Sequence, residues 1–288
     1  MLGLGLWWFG PAWAMSVAFI NPGKPDEAYW ASASAAMAQA ARSLGVTLEV
    51  HYAHRDHLQA LTLVRQLVAR APADSPAAPG SPASPIRPDY VIFSNDYGTG
   101  PEVLRILEGS GIRSFMASSG VHGRSREETG APRTLHRLWL GSLEPQAEEA
   151  GYLTARALIA RAKAAGAARA ADGKLQLLAI AGDRSTPSSI ARNAGMERAV
   201  AEAKDVVLVR QVFGDWRRDK AAEQAAWLYQ RYPAARLVWA GNDLMAFGAM
   251  DAWRARGGQP GKDAWFSGIN TSEEAFATRF RRLRAGIS

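Results

Sequence analysis

The chain has 288 residues, 48% hydrophobic and 21% charged, with a formal net charge of +7 and no cysteine. This composition builds a sizeable core in one large or two modest domains, at roughly 100–200 residues per domain, and excludes disorder as the default. It also excludes a disulfide framework, a thiol nucleophile and cysteine-based metal sites. Nucleic acid is set aside too: the positive charge is dispersed, densest at Arg279, Arg281, Arg282 and Arg284, with no zinc-finger spacing, RNP-like motif or strong helix-turn-helix pattern.

The first elements in chain order are not part of a fold. An apolar run, LGLGLWWFG, is followed by Ala12-Trp13-Ala14, an A-x-A cleavage pattern. Residues 1–14 read as a secretory signal with an incomplete n-region, since no Lys or Arg precedes Lys24, and they are too short for a membrane span, which needs about 20 apolar residues. The expected mature start, after export, is near Met15.

From residue 17 short apolar runs alternate with longer amphipathic ones. Strands are expected at 17–21, 47–53, 90–95 and 113–118, with helices at 28–44, 57–70 and 101–108. The pattern restarts with strands at 137–142, 175–182, 206–213, 236–241 and 264–270, and helices at 146–165, 188–203, 219–232, 243–256 and from 273 to about 284. Such alternation makes βαβ units and parallel sheets, and so many units fit two α/β lobes in tandem. The expected division is an N-terminal lobe at 15–120, a polar hinge region at 121–136 and a C-terminal lobe at 137–288. Residues 71–88 carry six of the fifteen prolines and read as a surface insertion in the first lobe.

Open α/β sheets bind ligands beyond the carboxyl ends of their strands. The residues expected there are Asn21, Glu27, Tyr29 and Trp30, then His54 to His57, then Asn95 and Asp96, and then Ser118 and Ser119. In the second half they are Asp183, Arg184 and Arg192, then Asp215 and Trp216, then Asn242 and Asp243, and last Asn270. Amides, carboxylates and large aromatics in such a set suit a small hydroxylated molecule. Plainer roles compete residue by residue. Asp56, Asp96, Asp215 and Asn242 are also natural helix caps, Tyr29 and Trp30 natural core, and Arg192 a natural solvated face. At the Asn242-Asp243 pair, Asn242 is expected to meet ligand and Asp243 to cap or support the helix.

Enzyme signatures are mostly missing: no G-x-S-x-G elbow, no P-loop, and no third glycine in GSGIRS for a dinucleotide fingerprint. His54 and His57 flank Asp56, but no Glu or Cys completes a metal-ligand spacing. No metal, cofactor or catalytic group is expected. A hydrolase using Asp96, Asp183 and Asp243 is the enzymatic alternative.

Four segments together carry a resemblance: VAFINPGKPDEAYWASASAAMAQAARSLGVTLEV at the start, GDRSTPSSIARNAGMERAV at 182–200, ARLVWAGNDLMAFGAMDAW at 235–253 and WFSGIN at 265–270. They resemble the type I periplasmic binding proteins, the sugar-binding group shared with ligand domains of LacI-type repressors. The resemblance implies two Rossmann-like lobes with parallel sheets flanked by helices, and a ligand cleft between them. It implies a binding protein that delivers a sugar or related polyol to an ABC permease or membrane sensor. A cytoplasmic effector-binding domain of a regulator is the alternative on the same fold. By position, Glu27, Tyr29 and Trp30 match the first lobe's contacts, with Asp96 and Ser118 at its further strand ends. Arg192 in R-x-x-G, Trp216, Asn242 and Asn270 match those of the second. Ser118-Ser119 stands where many sugar binders have Asp-Arg, and Asn270 where the family usually has Asp. Those departures argue against a standard pentose or hexose and allow a less polar or partly anionic ligand; members that bind a quorum-sensing furanosyl compound are one comparison. RFRRLRAGIS ends the chain where the family returns to its first lobe, so the resemblance implies a C-terminal truncation.

Overall fold

The structure, a computed structural model, describes residues 15–72 and 86–278. The expected signal at 1–14, most of the proline-rich insertion and the basic end at 279–284 lie outside the described residues. By compactness the chain divides into two units, taken over their described residues. One comprises Met1–Phe93, Glu102–Phe115 and Ala131–Gly141; the other Ser94–Pro101, Met116–Gly130 and Ser142–Ser288.

The first sheet has five strands: β1 (Ser16–Asn21), β2 (Thr47–Tyr52), β3 (Tyr90–Phe93), β4 (Arg113–Ala117) and β5 (Trp139–Leu143), in the order β2-β1-β3-β4-β5. Central β1 pairs in parallel with β2 and with β3. Its Ala18, Phe19 and Ile20 are fully buried, as a strand covered on both faces must be. Helices α1 (Ala28–Leu44), α2 (His57–Ala69) and α3 (Gly100–Leu107) alternate with these strands. Asp56 caps α2, its carboxylate accepting from the Leu58 and Gln59 amides at 2.8 and 3.2 Å.

The expected division at 121–136 is corrected at two points. That stretch contains a helix, α4 (Gly123–Thr129), bridged by an Arg124–Glu128 ion pair one turn apart. The strand expected to open the second lobe, β5, is instead the fifth strand of the first sheet, with Ser114 N donating to Leu138 O and Ser118 N to Leu143 O. An apolar run reads as a parallel strand wherever it sits; its composition does not say which sheet it joins.

In the second unit β6 (Leu175–Ala181), β7 (Val206–Phe213), β8 (Leu237–Ala240) and β9 (Trp265–Ser267) form a parallel sheet in the order β7-β6-β8-β9. Successive side chains point to opposite faces. On one face Leu175, Leu177 and Ala179 of β6 and Leu237 and Trp239 of β8 pack under α5 (Ala147–Ala164) and α6 (Pro187–Glu202). On the other, Leu178, Ile180, Val238 and Ala240 pack under α7 (Arg218–Arg231) and α8 (Asp243–Ala255). Helix α5 meets α6 almost backbone to backbone. A Cβ on Gly151 would lie 2.0 Å from Arg192 O, and one on Gly195 would lie 1.9 Å from Glu148 O. The glycine of the R-x-x-G pattern therefore seats the helix that carries Arg192.

Alanine for glycine in a helix interior ordinarily stabilises by about 1 kcal/mol. Gly195→Ala is expected to do the opposite, losing about 1–3 kcal/mol to overpacking; a lower urea midpoint with an unchanged slope checks it.

Candidate functional site

In the second unit the carboxyl ends of β6, β7 and β8 each lead into a glycine followed by polar or aromatic residues: Gly182-Asp183, Gly214-Asp215-Trp216 and Gly241-Asn242. Asp183 is the hub. Its Oδ1 accepts from Ser185 N at 2.8 Å, Ser185 Oγ at 3.0 Å and Thr186 N at 2.7 Å, and its Oδ2 accepts from Trp216 Nε1 at 2.8 Å. Burial pushes this carboxyl up, but hydrogen bonds from Thr186, Ser185 and Trp216 outweigh it and hold it below its ordinary value.

Arg192, on α6, is buried, and its Nη1 donates to Gly241 O at 2.7 Å. Its guanidinium carbon lies 5.5 Å from the Trp216 ring centroid, within cation–π range. Asn242 ties the same corner together. Its Nδ2 donates to Trp216 O at 3.2 Å, and its Oδ1 accepts from Met245 N at 2.8 Å, capping α8. The cap is thus Asn242, not Asp243. Asp243 instead takes Ser272 N on Oδ2 at 2.7 Å, and its own amide donates to Ile269 O at 2.9 Å. These two bonds draw the end of β9 to the start of α8. Between them lies Asn270, with φ 109°, beside Thr271 at φ 55°. Trp216, Arg192 and Asn242 are therefore brought into direct contact, and Asn270 follows immediately on the Ile269 tie.

Asp96 and Ser118 belong to the same unit but show other attachments. Asp96, buried in a 3₁₀ turn (Asp96–Gly98), accepts from Ser94 Oγ at 2.7 Å. Tyr97 N of that turn donates to Thr186 Oγ1 at 2.9 Å. Ser118, at φ 73°, lines a separate cavity of about 540 Å³ with Glu144, Pro187 and Arg198. Of the expected caps, Asp56 and Asn242 cap helices; Asp215 instead pairs with Lys220.

In the first unit the adjacent aromatics differ. Trp30 is core, 4% exposed and 6.3 Å from Phe19, while Tyr29 is 36% exposed and meets Trp30 edge-on at 4.9 Å. Glu27 is engaged by Arg55, whose Nε donates to Oε2 at 3.0 Å and whose Nη2 donates to Oε1. Thr186 and Gly182, neither expected at the site, complete the corner. A Cβ on Gly182 would lie 2.3 Å from the Trp216 ring, so the indole rests on bare main chain. The sequence signal for Asp183 was its place directly after the strand-ending glycine, four positions before Pro187, the first residue of a helix.

The family described as "Periplasmic binding protein domain" matches residues 142–278. A periplasmic sugar-binding protein from Pseudomonas fluorescens is 37% identical over 93% of this chain and 72% of its own, with a TM-score of 0.76. Two further structures show likeness of fold. One is an ABC transporter periplasmic solute binding protein from Actinobacillus succinogenes with bound D-allose, at 21% identity, TM-score 0.72, covering 91% of this chain and 81% of its own. The other, from Mycobacterium smegmatis, is in complex with β-D-fucofuranose, at 18% identity and TM-score 0.73, covering 92% and 77%. No curated protein sequence matches.

Burial raises the Asp243 carboxyl above its ordinary value, against the hydrogen bonds from Ser272. For an acid whose folded pKa lies above the unfolded value of about 3.9, folding takes up a proton, so its ionised form costs stability near neutral pH and the cost fades as pH falls through the folded pKa. Asp243→Asn should therefore raise the urea midpoint near pH 7, with the gain vanishing toward about pH 4.

Proposed function

The chain belongs to the periplasmic binding protein family, and from that premise we propose that it captures a small hydroxylated ligand, a sugar or sugar-like polyol, for an ABC permease or membrane sensor. The observation that carries this reading is Arg192. A guanidinium buried at the carboxyl end of a parallel sheet is costly unless its donors are used. One donor is fixed on Gly241 O, which aims the planar fork, and a guanidinium's directional N–H groups suit hydroxyl oxygens. Asn270, in its left-handed turn after β9, adds an amide at the same strand edge. In this reading Asn242 supports the site rather than touching ligand, because its amide is engaged at both ends. Asp96, engaged by Ser94 Oγ, and Ser118, in its own cavity, stand apart from this corner in the second unit's other loops. In the first unit Tyr29 supplies an exposed aromatic surface, and Glu27, fixed by Arg55, a carboxylate. Trp30 contributes through its packing beneath Tyr29.

Binding rather than turnover fits the carboxylates of the hydrolase alternative. Asp183 and Asp243 accept from main-chain amides and Asp96 from Ser94 Oγ, structural roles that suit a binding protein. Members of this family work in the periplasm; residues 1–14 serve as the export signal in this reading. N-terminal sequencing of protein from the periplasmic fraction should then start near Met15.

A thermal-shift screen against aldoses in furanose and pyranose form, polyols and glycerol tests the ligand class. A cognate ligand at a hundred times its Kd stabilises by about 2.7 kcal/mol. Arg192→Ala is expected to weaken binding of that ligand by about 1–3 kcal/mol in calorimetry, the cost of stranding buried polar partners. Undiminished affinity removes Arg192 from the site.

A further inference from the structure

We propose that Asp183 and Trp216 are positioning residues: the Asp183 carboxylate holds the indole, and the indole face in turn holds the Arg192 guanidinium that meets the ligand. This rests on the reading of Arg192 given above and reassigns Trp216 from a ligand-stacking aromatic to a platform for the arginine.

Three observations place the indole under Arg192 rather than over a ligand. The ring is 7% exposed and packs in the apolar cluster with Ile180 and Met245. It also rests against Gly182, where no side chain could stand. The Arg192 guanidinium lies over the ring itself, 5.5 Å from its centroid.

The backbone that presents this ring does not hold itself. Asp215 and Trp216 have φ of 49° and 64°, two consecutive left-handed residues with side chains, a conformation that persists only when its surroundings enforce it. The enforcing contacts are local and polar. Gly214 N donates to Ala181 O and Asp215 N to Gly182 O, while Asn242 takes the Trp216 carbonyl. Asp183 takes the indole N–H, which alone among these bonds fixes the rotation of the ring. A carboxylate is the strong acceptor for that donor, and its other oxygen is locked by Ser185 and Thr186 at the entry to α6, the helix that carries Arg192. One carboxyl group thus sets the ring and the helix whose arginine covers it.

The test is ligand-free first. In ¹⁵N-correlated spectra the Trp216 indole signal is identified by its loss in Trp216→Phe, and the Arg192 Nε–H signal by its loss in Arg192→Lys. The expected result is that Asp183→Asn moves the indole signal. It should also shift the Arg192 signal in the same direction as Trp216→Phe does, as the ring-current effect of the indole is lost. An Arg192 signal unmoved by Trp216→Phe overturns the proposal, and this second variant keeps the test decisive if Asp183→Asn does not fold. Affinity for D-allose and L-arabinose is then measured by calorimetry. Asp183→Asn and Trp216→Phe should each weaken binding about tenfold and the double variant no further, since the two act through one arginine. Additive losses overturn the shared route. If the unaltered protein binds neither sugar, those ligands leave the functional reading while the spectra still decide the positioning pair.

Discussion

The second unit depends on one constraint: its parallel sheet must be dry on both faces. Leu177 to Ala181 of β6 have no measurable exposure, so each alternate side chain needs a helix above or below it. Two helix pairs meet that need, and a pair fits over so narrow a sheet only if its helices come very close. Gly151 and Gly195 permit that approach between α5 and α6. With both faces sealed, the polar main chain and side chains left over gather where the strands stop. The charged corner around Asp183, Trp216 and Arg192 is thus a by-product of how the apolar layers are closed.

That corner is organised as a mutual arrangement of unlike partners rather than as a row of ion pairs. Asp183 stays ionised because four donors converge on it. Arg192 is tied to a carbonyl and a π face. Asp243, a few residues from that carbonyl, is pushed the other way by burial, though Arg192 draws it back. The opposite displacement of these two carboxyls follows from donor count: Asp183 receives several hydrogen bonds and Asp243 fewer.

Much of this was legible in residue order. The strand at 206–213 is Val206–Phe213, and the helix at 146–165 is Ala147–Ala164, because both carry strong periodicity and clear stops. The strand-end rule brought Trp216, Arg192 and Asn242 forward together. The assignment of β5 was not legible, since pairing is a long-range choice among similar apolar runs. Helix α4 was hidden by its polarity. Asp183 was visible as a strand-end residue, but its link to Trp216 spans 33 positions and leaves no local trace. Tyr29 and Trp30 look alike as neighbours in sequence. Adjacent helical positions face about 100° apart, which is why one is core and the other exposed.

The indole resting on Gly182 has a consequence for what that position tolerates. A position without a side chain, wedged beneath a ring, offers no gradual route of variation: every replacement collides at once. Gly182 therefore accepts a side chain only if the Trp216 ring moves, and with it the face that Arg192 covers. Asn270 is constrained differently: its φ of 109° lies where few residues with side chains other than Asn and Asp fit without strain. The two positions thus resist substitution for different reasons, one for want of space and the other for its backbone.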